Sequence, residues 1–241
     1  MPTDPTQPDD THDLGIDRNG WLPITMAATW LLLVAFGLCI LMMYANRPGQ
    51  SGRLAVSWPT AIESRHSTSK STLLVFAHPR CPCTHATIDE LAWVMTRCAD
   101  QVECQVLFVH PKGKSLEWVQ DDLWRKASSI SGVNVCTDGD GQLAKVFGAQ
   151  TSGHVMMYDT SGRLRFEGGI TPSRGHRGSN VGRQQLVNLT NEGQRLTATT
   201  VWVESSQKSR VSIDSTCVFG CPLFSMRSSS TLDHAVTEDP R

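Results

Sequence analysis

The run Val75-Phe76-Ala77-His78-Pro79-Arg80-Cys81-Pro82-Cys83-Thr84-His85 constrains this chain more than any other stretch. An apolar segment ends in two cysteines around a proline, and a helical pattern follows, so the run reads as strand, turn and helix. The strand delivers Cys81 to the turn. A helix beginning near Thr84 aims unpaired N–H groups and the positive end of its dipole at the sulfur. Such a setting favours the thiolate. The plainer alternative is a pair of inert cysteines in a proline turn, but packing alone seldom demands Cys-Pro-Cys at such a junction.

The other cysteines are Cys39, Cys98, Cys104, Cys136, Cys217 and Cys221, eight in all among 241 residues. That is too sparse for a disulfide scaffold and suits thiol chemistry or a metal site better. Cys39 lies in an apolar run, which leaves an odd number elsewhere, so these do not all pair as structural bridges. The formal net charge of −1 gives no support to nucleic-acid binding.

Five segments follow from composition. Residues 1–20 hold Pro2, Pro5, Pro8 and several aspartates with few apolar side chains, and read as a disordered tail. Residues 21–45 read as a single transmembrane helix, because 24–45 carry no charge and are rich in Leu, Met, Ala and Val, with Trp21 and Tyr44 at the ends. The long acidic tail ahead of it fits an uncleaved anchor in a lipid bilayer better than a signal peptide. Arg18 before the span against Arg47 and Arg53 after it is a weak positive-inside bias towards a cytoplasmic domain. A tethered dithiol domain makes more chemical sense outside the cytoplasm, where disulfides persist, and the periplasmic side is the expected location. Residues 46–71, with Pro48, Gly49, Gly52 and Pro59, read as a linker.

A folded domain is expected over 72–195. Strands are expected at 72–77, 102–109, 133–136, 154–158 and 164–167, the last two joined by the turn-forming Asp159-Thr160-Ser161-Gly162-Arg163. Ile88, Leu91, Ala92 and Met95 place one helical stripe; Leu116, Val119, Gln120 and Leu123 place another with Ser115 as its cap; further helices fall at 143–147 and 181–189. The order βαβαβαββα gives an α/β fold with helices over a central sheet. Cys104 shares a strand face with Val102, Val106 and Phe108 and reads as core. Residues 196–241 form a Ser/Thr-rich extension, expected to be mostly loosely ordered, with one strand at 200–203 and the sequence Cys217-Val-Phe-Gly-Cys221-Pro.

With this order and the cysteine corner, residues 72–189 resemble the thioredoxin-like superfamily, whose fold is a central mixed sheet with helices on both faces. A closer resemblance is to a bacterial group of thioredoxin-like proteins labelled RedB. It is carried by His78-Pro79-Arg80-Cys81-Pro82-Cys83-Thr84, Thr151-Ser152-Gly153, Gly169-Ile170-Thr171 with Arg174-Gly175-His176, and Phe219-Gly220-Cys221-Pro222. The resemblance implies a membrane-tethered thiol–disulfide oxidoreductase acting on a protein or small-molecule thiol or disulfide partner, without a cofactor. Cys81 falls on the family's nucleophilic position. Its usual resolving position is Thr84, so Cys83 stands one place early, and Gly153 stands where the family has a cis-proline.

On this reading Cys81 attacks and Cys83 resolves. Cys221, with Cys217, is a candidate second redox pair, its alternative being a local structural bridge. Thr84, Gly153 and His154 are candidate neighbours of the site, and for His154 the alternative is a strand-end histidine with a backbone partner. A reading from another class is soft-metal binding or copper delivery by Cys81, Cys83 and His85, since thiolate and imidazole suit Cu(I) or Zn(II). The basic loop 174–178 is either an anion-binding cap or an ordinary solvated loop.

Overall fold

The computed structural model describes residues 21–98, 100–199 and 213–224. The tail 1–20, the strand expected at 200–203 and the end beyond 224 lie outside the described residues. Two compact units divide at Tyr44 and Ala45. The first carries helix α1 (Trp21–Ala45), 25 residues with none buried. At 1.5 Å per residue it spans about 37 Å, and it is long and apolar enough to cross a membrane.

The second unit is an α/β domain. Its elements are β1 (Ser71–Ala77), α2 (Pro82–Cys98), β2 (Val102–His110), α3 (Leu116–Val119), α4 (Asp122–Ser128), β3 (Val133–Gly139), α5 (Gln142–Phe147), β4 (His154–Tyr158), β5 (Leu164–Gly168), α6 (Val181–Thr199) and β6 (Asp214–Ser215). They build one sheet in the order β3-β2-β1-β4-β5-β6. β1, β2 and β3 run parallel, β4 is antiparallel to β1 and to β5, and β6 lies parallel to β5. A βαβ half followed by a ββα half around a central β1 is the thioredoxin-like arrangement, here with β3 and α5 added before the second half.

β1 is buried on both faces, which is why its sequence is an unbroken apolar run. Leu73, Val75 and Ala77 face the core made with α2, α4 and α6, while Leu74 and Phe76 face Phe147, Met156 and Tyr158. The hairpin turn forms as its chemistry requires: Asp159 Oδ1 accepts from the amides of Ser161 and Arg163, both at 3.0 Å. Cys104 is fully buried in the core.

Four expectations need correction. The helix expected from Ser115 is two short helices, because Asp121 accepts hydrogen bonds from the amides of Leu123 and Trp124 and so starts α4 afresh. Residues 46–71 are not a free tether. Trp58 is buried with Phe147 and Tyr158 edge-on at 5.1 Å, and the Gly52 amide donates to Gly148 O at 2.8 Å. Burying one large aromatic face and pairing these amides outweighs the flexibility suggested by the prolines and glycines. Residues 213–224 are also part of the fold: β6 extends the sheet, and Val218 and Leu223 are buried. α6 runs past the expected Leu189 to Thr199.

Candidate thiol site

The corner is set by how β1 ends and α2 starts. The Cys81 amide donates to His78 O at 3.2 Å and the Thr84 amide to Cys81 O at 3.0 Å, while Pro82 takes the first helical position, where its missing N–H costs nothing. Cys81 thus precedes a 17-residue helix at its positive end. Its residue is 2% exposed.

The sulfurs of Cys81, Cys83 and Cys221 all lie within 4.8 Å of one another. Cys221 therefore reaches the site and Cys217 does not; Cys217 is exposed and lines a separate cavity with Gly169, Asn180 and Phe219. His85 is exposed and is not in the cluster, so the third donor expected from that helix comes instead from the C-terminal segment.

Ser152 ties the site together. Its Oγ accepts from the His78 amide at 2.8 Å and lies 2.6 Å from Thr84 Oγ1. Thr84 hydrogen-bonds in turn to Cys81, so when its one proton is donated to the sulfur, the Ser152 hydroxyl is the donor in the Ser152–Thr84 pair. Burial on its own raises the Cys81 pKa, but hydrogen bonds from Thr84 and Cys221, side chain and backbone, outweigh it and leave the thiol below its ordinary value. Cys83 moves the other way: burial first, then the negative charge of Cys81, raise it, with Arg174 partly offsetting them. Cys221 is pushed up to about 12, by burial first and then by donating to and facing Cys81. Of the three thiols, Cys81 is the one whose ionisation its surroundings favour, and for Cys83 and Cys221 they oppose it.

Gly153 adopts a left-handed φ of +89°, donates to Phe76 O at 2.7 Å, and has no room for a Cβ, which would stand 2.7 Å from Thr87 Oγ1. His154 is fully buried, and its Nε2 lies 3.0 Å from Glu167 Oε2, while Glu167 Oε1 accepts from Ser215 Oγ at 2.5 Å. The partner of His154 is thus a side-chain carboxylate on β5 and not the expected backbone group. The basic loop is tied to α2, with Arg177 on Asp89 at 3.1 Å and the Gly178 amide on Glu90 Oε1 at 2.6 Å. Glu90 is buried and also pairs with Arg183 at 2.6 Å. Ser152 was not among the expected site residues; its only signal was its place in Thr151-Ser152-Gly153.

No protein-family model matches the chain, and no curated protein sequence does. Among solved structures, it is similar to an uncharacterized conserved protein from Geobacillus kaustophilus, at 14% identity and a TM-score of 0.50 over 76% of this chain and 94% of that one. A hypothetical protein from Sinorhizobium meliloti 1021 matches at 16% identity and a TM-score of 0.47, over 74% and 96% of the two chains. A secreted Mycobacterium tuberculosis disulfide oxidoreductase matches at 14% identity and 0.38, over 54% and 84%. At 14% identity the first of these likenesses concerns the fold alone; the strand order, with a βαβ half and a ββα half around β1, gives the domain after the apolar helix its thioredoxin-like fold.

Proposed function

We propose that this chain is a membrane-anchored thiol–disulfide oxidoreductase of the RedB type, with Cys81 as its nucleophile. The observation that carries the reading is the corner itself: Cys81 stands at the N-terminal end of α2 with two further cysteine sulfurs within 4.8 Å, a setting that favours a thiolate. The Cys81 thiolate attacks the disulfide of a protein or small-molecule partner and forms a mixed disulfide; a second thiol of the cluster then attacks Cys81 Sγ and releases the partner. Exchange of this kind needs no cofactor. The RedB-type reading is supported by two of the motifs that carry the resemblance, Thr151-Ser152-Gly153 and Phe219-Gly220-Cys221-Pro222, which are bridged to each other in space. Anchoring through α1 is supported by its length and unburied apolar surface, and an extracytoplasmic domain by the persistence of disulfides there.

The test is turnover of insulin or glutathione disulfide by the full chain. Cys81→Ser is expected to abolish it, and unchanged turnover in both Cys81→Ser and Cys83→Ser would end the proposal. A reporter active on only one side of the membrane, fused to the C-terminus, tests the orientation.

The three-sulfur cluster favours one second reading, soft-metal binding. Three thiolates around a single ion with metal–sulfur bonds of about 2.3 Å stand about 4 Å apart, inside the 4.8 Å within which the three sulfurs lie. Cys81, Cys83 and Cys221 would hold the ion, in place of the set containing His85, and thiolates select Cu(I) or Zn(II). Anaerobic titration with Cu(I) decides it: a 1:1 complex lost in Cys81→Ser supports the reading, and no stoichiometric complex removes it.

A further inference from the structure

The C-terminal segment is seated on the site as an added strand. The Ser152 amide donates to Cys221 O at 2.8 Å and the Leu223 amide to Gln150 O at 2.8 Å, with Thr151 and Pro222 forming an antiparallel bridge between them. Val218 and Leu223 are buried on either side of Cys221, and the Gly49 amide holds Val218 O at 2.7 Å. Gly220 is required by this approach, because a Cβ there would overlap Ser152 O. The same serine that leads the hydrogen-bond chain to Cys81 thus also fixes the backbone of Cys221.

Cys83 is a poorer disulfide partner than its place in the sequence suggests. It sits in the first turn of α2, two residues after Cys81 at the head of that helix, and although its sulfur belongs to the same cluster, a bridge across the single residue Pro82 would close a small ring. A disulfide wants Cβ atoms about 3.8 Å apart with relaxed torsions, which a ring that small reaches less readily than a bridge between two separate segments. Cys221 comes from a separate segment, and its sulfur is already in the cluster.

We infer that Cys221, not Cys83, is the thiol that resolves the mixed disulfide on Cys81, so that the oxidised protein carries a Cys81–Cys221 disulfide. The inference rests on the thiol–disulfide reading above. Cys81 S⁻ attacks a partner disulfide R–S–S–R′; the Cys81–SR bond forms, the partner's S–S bond breaks, and R′S⁻ leaves. Cys221, deprotonated, attacks Cys81 Sγ; the Cys81–Cys221 bond forms and RS⁻ leaves. Two protein thiols lose two electrons, one partner disulfide gains them, and the two thiol protons end on RSH and R′SH. The charge of Cys81 is one of the causes that keep Cys221 protonated. Forming the mixed disulfide removes that charge, so Cys221 becomes easier to ionise when it is needed. Two amide hydrogen bonds hold Cys221 and Leu223, and β6 beside them has only two residues, so opening of this short segment is the motion that would admit a partner to the buried Cys81.

The test uses the full chain in detergent, as wild type, Cys83→Ser and Cys221→Ser. Each is oxidised with glutathione disulfide or, separately, with the small oxidant diamide, then digested without reduction and mapped by mass spectrometry. The expected result is a Cys81–Cys221 cross-link in wild type and in Cys83→Ser. Cys221→Ser is expected to accumulate the glutathione adduct on Cys81 and to lose turnover by on the order of tenfold or more. A Cys81–Cys83 disulfide in wild type, with unchanged turnover in Cys221→Ser, overturns the inference. The diamide map identifies the pair even if wild type turns over no substrate, so failure of the oxidoreductase reading is seen separately.

Discussion

Replacing Gly220 by Ala keeps every sulfur and removes only the room that lets the C-terminal segment reach Cys81. The added methyl overlaps the carbonyl oxygen of Ser152, a backbone atom that cannot swing aside, and that residue is itself held by His78 and Thr84. Overpacking of this kind costs about 1–3 kcal/mol. Applied to the docking of residues 217–223 alone, it lowers the docked-to-undocked ratio by about 5–150-fold. The rest of the domain is untouched, since Val218 and Leu223 are the segment's buried apolar side chains and the sheet from β3 to β5 closes without it. Hydrogen exchange at the Ser152 and Leu223 amides, which donate across this seam, reads the docking directly. The yield of Cys81–Cys221 disulfide after a short diamide pulse reads the chemistry. Both are expected to fall together while the melting temperature changes little. Amide protection and disulfide yield equal to wild type would refute the reasoning.

Other perturbations test the frame around the site. Glu90→Ala leaves Arg183 and the Gly178 amide without their buried partner and is expected to cost about 3–5 kcal/mol in urea unfolding of the domain. Trp58→Ala is expected to cost about 3–5 kcal/mol by the same assay, because Trp58 is packed against Phe147 and Tyr158; a negligible change would return residues 46–71 to the status of a tether. Thr84→Val removes the first of the hydrogen bonds that lower Cys81, so the thiolate is expected to form at higher pH than in wild type. Ser152→Ala is expected to move it in the same direction, acting through Thr84.

The local parts of this architecture were legible because their causes are local. The apolar β1, the proline at the start of α2 and the Asp159 turn each carry their signal within a few residues. The break between α3 and α4 was missed because Asp121 lies within an otherwise amphipathic pattern and acts only as a cap. The docked linker and C-terminal segment were missed for a different reason. Their polar, Gly-rich composition argues for disorder, and their order depends on contacts with distant residues: Trp58 with Phe147, Gly52 with Gly148, Gly220 with Ser152. The same distance hid the third sulfur. Proximity in sequence suggested His85, which is on the exposed side of α2, while Cys221 reaches the cluster from the far end of the chain.

The central claim is that Cys81 is held as a thiolate for exchange, and thiolate ultraviolet absorbance titrated with pH tests it most directly. A thiol with a lowered folded pKa is ionised above that value and reprotonates only as pH falls through it, so its charge persists below the ordinary 9.0. The difference titration of wild type minus Cys81→Ser is expected to show one thiolate formed below pH 9.0, while Cys83 and Cys221 ionise above it. A difference curve that rises only at or above 9.0 would contradict the account.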